Sequence, residues 1–404
     1  MTSAVSARLA TRPGYRWVVL AVCWAAFTMT SADRATWGPA AGAVGADLGV
    51  PVAALGVFAT CYYVGYVVSV ATWGFLADWV GARLTVALSI ALSGAFMIGF
   101  GEVRSHAWGL ALQLLIGLCA GAEVGAGSKL ITVWFGSARL GTAMGVFMTA
   151  TSLGLVIANA IVPTLVQEFS WRASYHLFGA VSIALGVAAY ILIRMPAGAA
   201  TRATGREGLP DLRPLLHNRD LVLLALAGFG ALWGTYGFIT WSNLLMVKGI
   251  GISPVTAGIV VVVFGSVAIF SKPLIGVVSD RVRPSRQALS AWILVAFAAA
   301  LIAFSFARTP FAFLLIAPLL GLAAYTYSPL MMAMIPTASG TRLAGSATGG
   351  VNAFWQLGSA IVPTVLGLVF ATSGSFHVAF LALAAGPALA IIPLLLIGRG
   401  GRTA

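Results

Sequence analysis

Charge is what this sequence has least of. Of 404 residues, 23 are basic and only 10 acidic, which makes 8% charged, against about a quarter in a soluble domain. One or two water-soluble domains are therefore excluded. Cysteine and histidine are nearly as scarce, at three and four residues. Cys23, Cys61 and Cys119 all lie in apolar runs, where buried thiols serve as small hydrophobes and no disulfide framework is expected. His106, His176, His217 and His377 stand apart from one another, so neither a metal site nor a catalytic triad is expected, and no cofactor. No phosphate-binding G-x-x-x-x-G-K-[ST] loop occurs, which removes an ATP-driven pump.

What the chain has in abundance is apolar length. Sixty percent of its residues are hydrophobic and the mean hydropathy is +0.99. Breakers and charges divide the apolar runs into twelve expected helices, near 17–46, 53–75, 84–101, 108–134, 140–166, 173–193, 220–246, 253–278, 287–307, 310–335, 344–371 and 376–398. Each is long enough for a hydrocarbon core that needs about 20 residues. The fold class is thus an all-α membrane protein. A net charge of +13 would suggest nucleic acid in a soluble protein; here the basic residues recur periodically and read as topology signals. With the N-terminus inside, sixteen arginines fall on the cytoplasmic side, against Arg104, Arg172, Lys248 and Arg308 outside. That bias predicts a multi-pass protein of the inner (plasma) membrane with both termini cytoplasmic. The N-terminal arginines precede a first span after which further spans simply continue, so a cleaved signal peptide is not expected.

The longest connection, about 195–219, is rich in proline, glycine and arginine. It predicts a cytoplasmic linker between two six-helix bundles, 1–194 and 220–404. An internal repeat supports the division. Gly141-Thr-Ala-Met-Gly145 recurs as Gly345-Ser-Ala-Thr-Gly349, Leu153-Gly154 as Leu357-Gly358, and Ile161-Val-Pro-Thr164 as Ile361-Val-Pro-Thr364. Two repeated halves enclosing a midplane site is the architecture of secondary transporters.

The connection after the second span reads Gly74-Phe-Leu-Ala-Asp78-Trp-Val-Gly81-Ala-Arg83, and Gly276-Val-Val-Ser-Asp280-Arg281 follows the eighth. Both copies resemble the G-x-L-A/S-D-R-x-G-R signature of the major facilitator superfamily, and the resemblance extends over essentially the whole chain. It implies a gate built from Gly74, Asp78, Gly81, Arg83, Gly276, Asp280 and Arg281, in which carboxylates hold arginines. Finer likenesses point to organic-anion carriers. Asp33-Arg34-Ala35, Trp134-Phe135 with Arg139, and Trp171-Arg172 resemble the anion:cation symporter group. Lys272-Pro273 leading to Gly276 and Asp280 resembles monocarboxylate and oxalate carriers. The Gly-Pro pair that marks drug antiporters is absent from the fifth span, which has Gly154-Leu155 instead.

Five ionisable residues remain inside the expected spans: Asp33, Arg34, Glu123, Lys129 and Lys272. Each costs about 2.5–3.5 kcal/mol at a helix centre on insertion scales, so each needs a partner or a watery cavity. Arg34 is the candidate clamp for a substrate carboxylate, because its guanidinium fork matches that group; a structural pair with Asp33 is the plainer alternative. Glu123 and Asp33 are candidate proton carriers, since a carboxylate in low dielectric can alternate between neutral and ionised forms. Fixed ion pairs with Arg34, Lys129 or Lys272 are their alternative. Lys272 and Lys129 are further candidates for anion binding, unless their long stems snorkel to the surface. Tyr62, Tyr66, Tyr236, Tyr327, Asn352 and Gln356 complete the candidate lining; Asn352 and Gln356 stand one turn apart on one helix face.

The expected function is secondary active uptake of a small organic anion, a carboxylate, driven by protons through alternating access, with no enzymatic activity. Its partners are that anion, protons and the lipid bilayer; no nucleic acid is involved, and a monomer is expected. A proton-driven exporter of drugs or metabolites is the alternative. A transporter-like sensor is less well supported, because no partner-binding domain or long tail is evident.

Overall fold

The computed structural model describes residues 14–194, 217–281, 286–339 and 344–398; the side chains of a few residues within these ranges, among them Gly74, Asp78, Gly276, Asp280 and Arg281, lie outside the described set. Among the described residues every regular element is helical. Thirteen α-helices follow one another: α1 Tyr15–Ala35, α2 Trp37–Leu48, α3 Leu55–Trp79, α4 Ala82–Gly101, α5 His106–Cys119, α6 Ser128–Glu168, α7 Trp171–Leu192, α8 Arg219–Leu244, α9 Pro254–Arg281, α10 Arg286–Phe306, α11 Pro310–Ser339, α12 Ala344–Ser373 and α13 Phe376–Leu396.

Most expected spans appear within a few residues of their predicted ends. The first differs, for the run 17–46 is split at Thr36. The Thr36 hydroxyl and its own amide both donate to the Ala32 carbonyl, at 2.9 Å each, and Pro39 brings no amide hydrogen to the next turn. Helical backbone also continues through the expected connection near residue 137, so two candidate spans, His106–Phe135 and Arg139–Glu168, share it. Among the described residues, eleven helical stretches are long and apolar enough to cross a membrane. The expected twelfth, α1, is less apolar, because Thr28, Thr30, Ser31, Asp33 and Arg34 crowd its second half.

The chain forms two compact units. Met1–Thr36 and Cys61–Gly208 make one; Trp37–Thr60 and Leu209–Ala404 make the other. Segment 37–60 is joined to the second unit near both its ends: a Cβ on Gly38 would lie 2.8 Å from the Ile239 carbonyl of α8, and Thr60 donates to the Ala360 carbonyl of α12 at 2.7 Å. Within the segment Trp37 stacks on Phe58 with ring centroids 5.0 Å apart.

The repeat has a structural counterpart inside each unit. At Gly154 an added Cβ would strike the Thr28 carbonyl of α1; at its repeat mate Gly358 it would strike the Phe229 carbonyl of α8. Pro163 and Pro363 sit in the helix interiors of α6 and α12. Small residues let membrane helices approach where hydrophobic expulsion from water gives no help. The same device joins α4 to α7: a Cβ on Gly94 would lie 2.5 Å from the Gly179 carbonyl, and one on Gly179 2.6 Å from that of Gly94. Gly94→Val is therefore expected to cost at least about 1–3 kcal/mol of overpacking. A melting temperature in detergent equal to that of the parent protein would show that α4 and α7 can separate freely. The second unit instead fills its core with rings. Phe304 lies 5.0 Å from Phe238, 4.6 Å from Phe313 and 5.8 Å from Phe380.

Candidate functional site

In the first unit the packing of α4 on α7 places two serines around one acid. Asp33 of α1 is 4% exposed. Its Oδ2 accepts from Ser182 Oγ of α7 at 3.0 Å and from Ser93 Oγ of α4 at 3.3 Å. The other oxygen, Oδ1, is buried without a hydrogen-bond partner. Glu123 is 1% exposed and opens a π-turn, Glu123–Gly127, between α5 and α6; such bulges concentrate at functional sites. Its Oε1 accepts from Ser89 Oγ at 3.0 Å, and its Oε2 likewise has no hydrogen-bond partner. Ser89 and Ser93 are one turn apart on α4 and fully buried, so the two acids hang on adjacent hydroxyls of a single helix face. Each carboxyl keeps one oxygen able to take a proton without breaking a bond to protein.

Arg34 follows Asp33 by one residue and so leaves α1 about 100° away. It is half-buried, with its guanidinium carbon 5.7 Å from the Tyr66 ring centroid, within reach of cation–π attraction. Tyr66 lies nearly parallel to Tyr62, centroids 6.4 Å apart, and Tyr63 meets Tyr62 edge-on at 5.4 Å. The Tyr62 hydroxyl is buried and has no hydrogen-bond partner. α1 thus turns an acid toward the serines of α4 and α7, and a cation toward a tyrosine shelf on α3. Because Asp33 Oδ2 is held by serines and Oδ1 by nothing, the carboxylate is not hydrogen-bonded to Arg34. Lys129 is half-buried in the first turn of α6.

The second unit holds the remaining candidates, each with its own neighbours. Lys272 of α9 is half-buried, with Nζ 4.5 Å from the Tyr325 ring centroid. Asn352 and Gln356 are half-buried on α12, and Gln356 Oε1 accepts from Ser359 Oγ at 3.0 Å. Tyr236 is half-buried on α8. Tyr327 is turned inward: its hydroxyl lies 2.9 Å from Thr235 Oγ1 and its ring stacks on Phe297 at 6.4 Å.

Of the gate motif, Gly81 and Arg83 are described in full. Gly81 takes φ +87°, a left-handed turn that suits glycine, and it lets α4 start directly behind α3. The Arg83 guanidinium donates to the Tyr190 carbonyl in the last turn of α7, from Nε at 2.8 Å and also from Nη2, and lies 4.5 Å from the Tyr190 ring centroid. An arginine at the carbonyl end of a helix is favourably placed. Trp134 and Arg172 likewise tie helix ends: Trp134 Nε1 donates to the Arg194 carbonyl at 3.0 Å and Arg172 Nη2 to that of Val103 at 2.9 Å. Sequence reasoning missed Ser89, Ser93 and Ser182, the hydroxyls that hold the acids.

Many apolar helices, a repeated core and two buried acids meet a known pattern. The sequence profile of the Major Facilitator Superfamily matches residues 22–363, and again 242–403. The chain belongs to that superfamily. It is a multi-pass membrane transporter and not an enzyme. It is 26% identical to the probable galactarate/D-glucarate transporter of Bacillus subtilis (strain 168), over 95% of this chain and 91% of that one. The hexuronate transporter of the same organism is 25% identical over 62% of this chain and 61% of its own length. Among solved structures, a bacterial homologue of the human lysosomal transporter Spinster, inward-facing and occupied, superposes with a TM-score of 0.81. The two share 15% identity, over 95% of this chain and 97% of that one, a likeness of fold. These findings agree with the superfamily and the organic-anion carriers that the sequence resembles.

Proposed function

We propose that the protein takes up a small organic acid together with protons, by alternating access of two six-helix halves, 1–194 and 220–404, joined by 195–219. The observation that carries the reading is the division of labour on α1, where Asp33 enters a hydroxyl-lined interior beside Glu123 while Arg34 faces tyrosines. A carboxylate substrate needs the cation, and a coupled proton needs an acid with a spare oxygen. The named substrates of the full-length relative suggest the class: polyhydroxylated dicarboxylates such as galactarate and D-glucarate. Placement in the inner membrane with cytoplasmic termini rests on the arginine distribution, and the protein acts as a monomer.

The test is flux into proteoliposomes. D-glucarate should accumulate when the lumen is made alkaline, and an uncoupler should abolish accumulation. Export of glucarate against that gradient, or flux indifferent to it, would overturn proton-coupled uptake. In the same assay Lys272→Ala is expected to weaken substrate binding at least tenfold, about 1.4 kcal/mol. Wild-type affinity in that variant would leave Lys272 a packing role on Tyr325 alone.

A further inference from the structure

A cavity of about 490 Å³ opens along the second unit between α8 and α13. Its wall on α8 comprises Leu223, Leu226, Gly230 and Trp233, and small residues, Ala382, Ala385 and Gly386, shape the opposite wall on α13. Leu389 and Ile392 of the same wall are 63% and 57% exposed, as befits a face bathed in hydrocarbon. The lining runs from Leu223 to Trp233 on α8 and from Ala382 to Leu396 on α13, about 15 and 21 Å at 1.5 Å per residue. Against a hydrocarbon core of about 30 Å, that is the reach of one acyl chain from one leaflet.

The end of the groove carries a charge. Arg219, Leu223, Leu226, Gly230 and Trp233 recur at intervals of three and four residues and share one stripe of α8. Arg219 is exposed at the first turn of the helix, and helical side chains lean toward the N-terminus, here toward the headgroups. The neighbouring acid is engaged: Asp220 Oδ1 accepts from the Gly398 amide just beyond α13, at 3.3 Å. A basic residue at the mouth of an interhelical pocket is what an anionic lipid headgroup requires.

From the groove's depth and its charged mouth we infer that the cavity between α8 and α13 holds one acyl chain of an anionic phospholipid, whose phosphate meets Arg219. The site lies apart from the acids and tyrosines above and does not depend on the substrate assigned to them.

Native mass spectrometry of the purified full-length protein, titrated with phosphatidylglycerol and with phosphatidylcholine of the same chains, tests the site. The wild type should retain one phosphatidylglycerol more tightly than phosphatidylcholine. Arg219→Gln should remove that preference, weakening phosphatidylglycerol about fivefold, the increment of one arginine at an anionic surface. Ala385→Trp, whose side chain starts from an exposed position in the groove, should weaken both lipids at least tenfold. Equal retention of the two lipids by wild type, or a phosphatidylglycerol affinity unchanged in both variants, would overturn the proposal. So would a dimer that Ala385→Trp dissociates, since the groove would then seat a second copy of the chain. Should Ala385→Trp fail to fold, the Arg219→Gln comparison decides alone.

Discussion

Glu123→Gln is expected to abolish substrate accumulation driven by a pH gradient while leaving counterflow exchange intact. The amide oxygen can still accept from Ser89 Oγ, which meets Glu123 Oε1 at 3.0 Å. The amide nitrogen takes the place of Oε2, the oxygen without a hydrogen-bond partner, and so imitates the protonated acid in shape and charge. The carrier would be locked in its loaded form, competent to exchange substrate and unable to return a proton. Two amide hydrogens in a buried pocket cost stability, about 1–3 kcal/mol if left unsatisfied. A thermal melt in detergent therefore accompanies the flux measurement, and counterflow at the parent rate shows that the fold survives. Uphill uptake retained in this variant would move the coupling role to Asp33, whose Oδ1 has the same open valence. Loss of both uphill uptake and counterflow would mean that Glu123 holds the bundle together rather than carrying a proton.

The acids were legible in the sequence because a charge within an apolar run must be explained by a partner or a function. Their holders were not. Ser89, Ser93 and Ser182 are ordinary residues of membrane helices, where most hydroxyls bond back to their own backbone, as Thr72 and Thr326 do here. Close packing of the two helices, as where Gly94 meets Gly179 85 positions away, brings Ser93 and Ser182 to one carboxylate. The helix ends were readable for a local reason: turns and charges mark them. The split at Thr36 also had a local signal, since Gly38-Pro39 follows at once. What no local pattern carries is the company a segment keeps. Residues 37–60 belong to the compact unit of 209–404 through the close approach of Gly38 to the Ile239 carbonyl and a threonine bond to Ala360. Aromatic residues present the same difficulty. Tyr62 and Tyr327 read alike in sequence, yet one hydroxyl is left without a hydrogen-bond partner and the other is satisfied by Thr235.

Arg34→Ala is expected to remove measurable binding of organic anions, a loss of at least a hundredfold, or about 2.7 kcal/mol. Charge-assisted bonds to a carboxylate are among the strongest a protein makes, and a guanidinium can supply two of them in parallel. Its position over Tyr66, 5.7 Å from the ring centroid, holds the guanidinium at the tyrosine shelf through cation–π attraction. The Tyr62 hydroxyl, without a hydrogen-bond partner in the same cluster, can then give or take a further bond from a hydroxylated substrate. Arg34→Lys keeps the charge and loses the fork, so it should bind more weakly than wild type and more tightly than Arg34→Ala. Tyr62→Phe should cost a hydroxylated acid several-fold in affinity and a plain carboxylate little. The ordering can be read by titrating D-glucarate and succinate into each purified variant and following thermal stabilisation, which grows with occupancy of the native state. Equal affinities in Arg34→Ala and wild type would refute the anion reading at its root, since that reading makes the Arg34 guanidinium the substrate's clamp. A loss in Arg34→Ala fully restored by lysine would keep the charge requirement and discard the bidentate geometry.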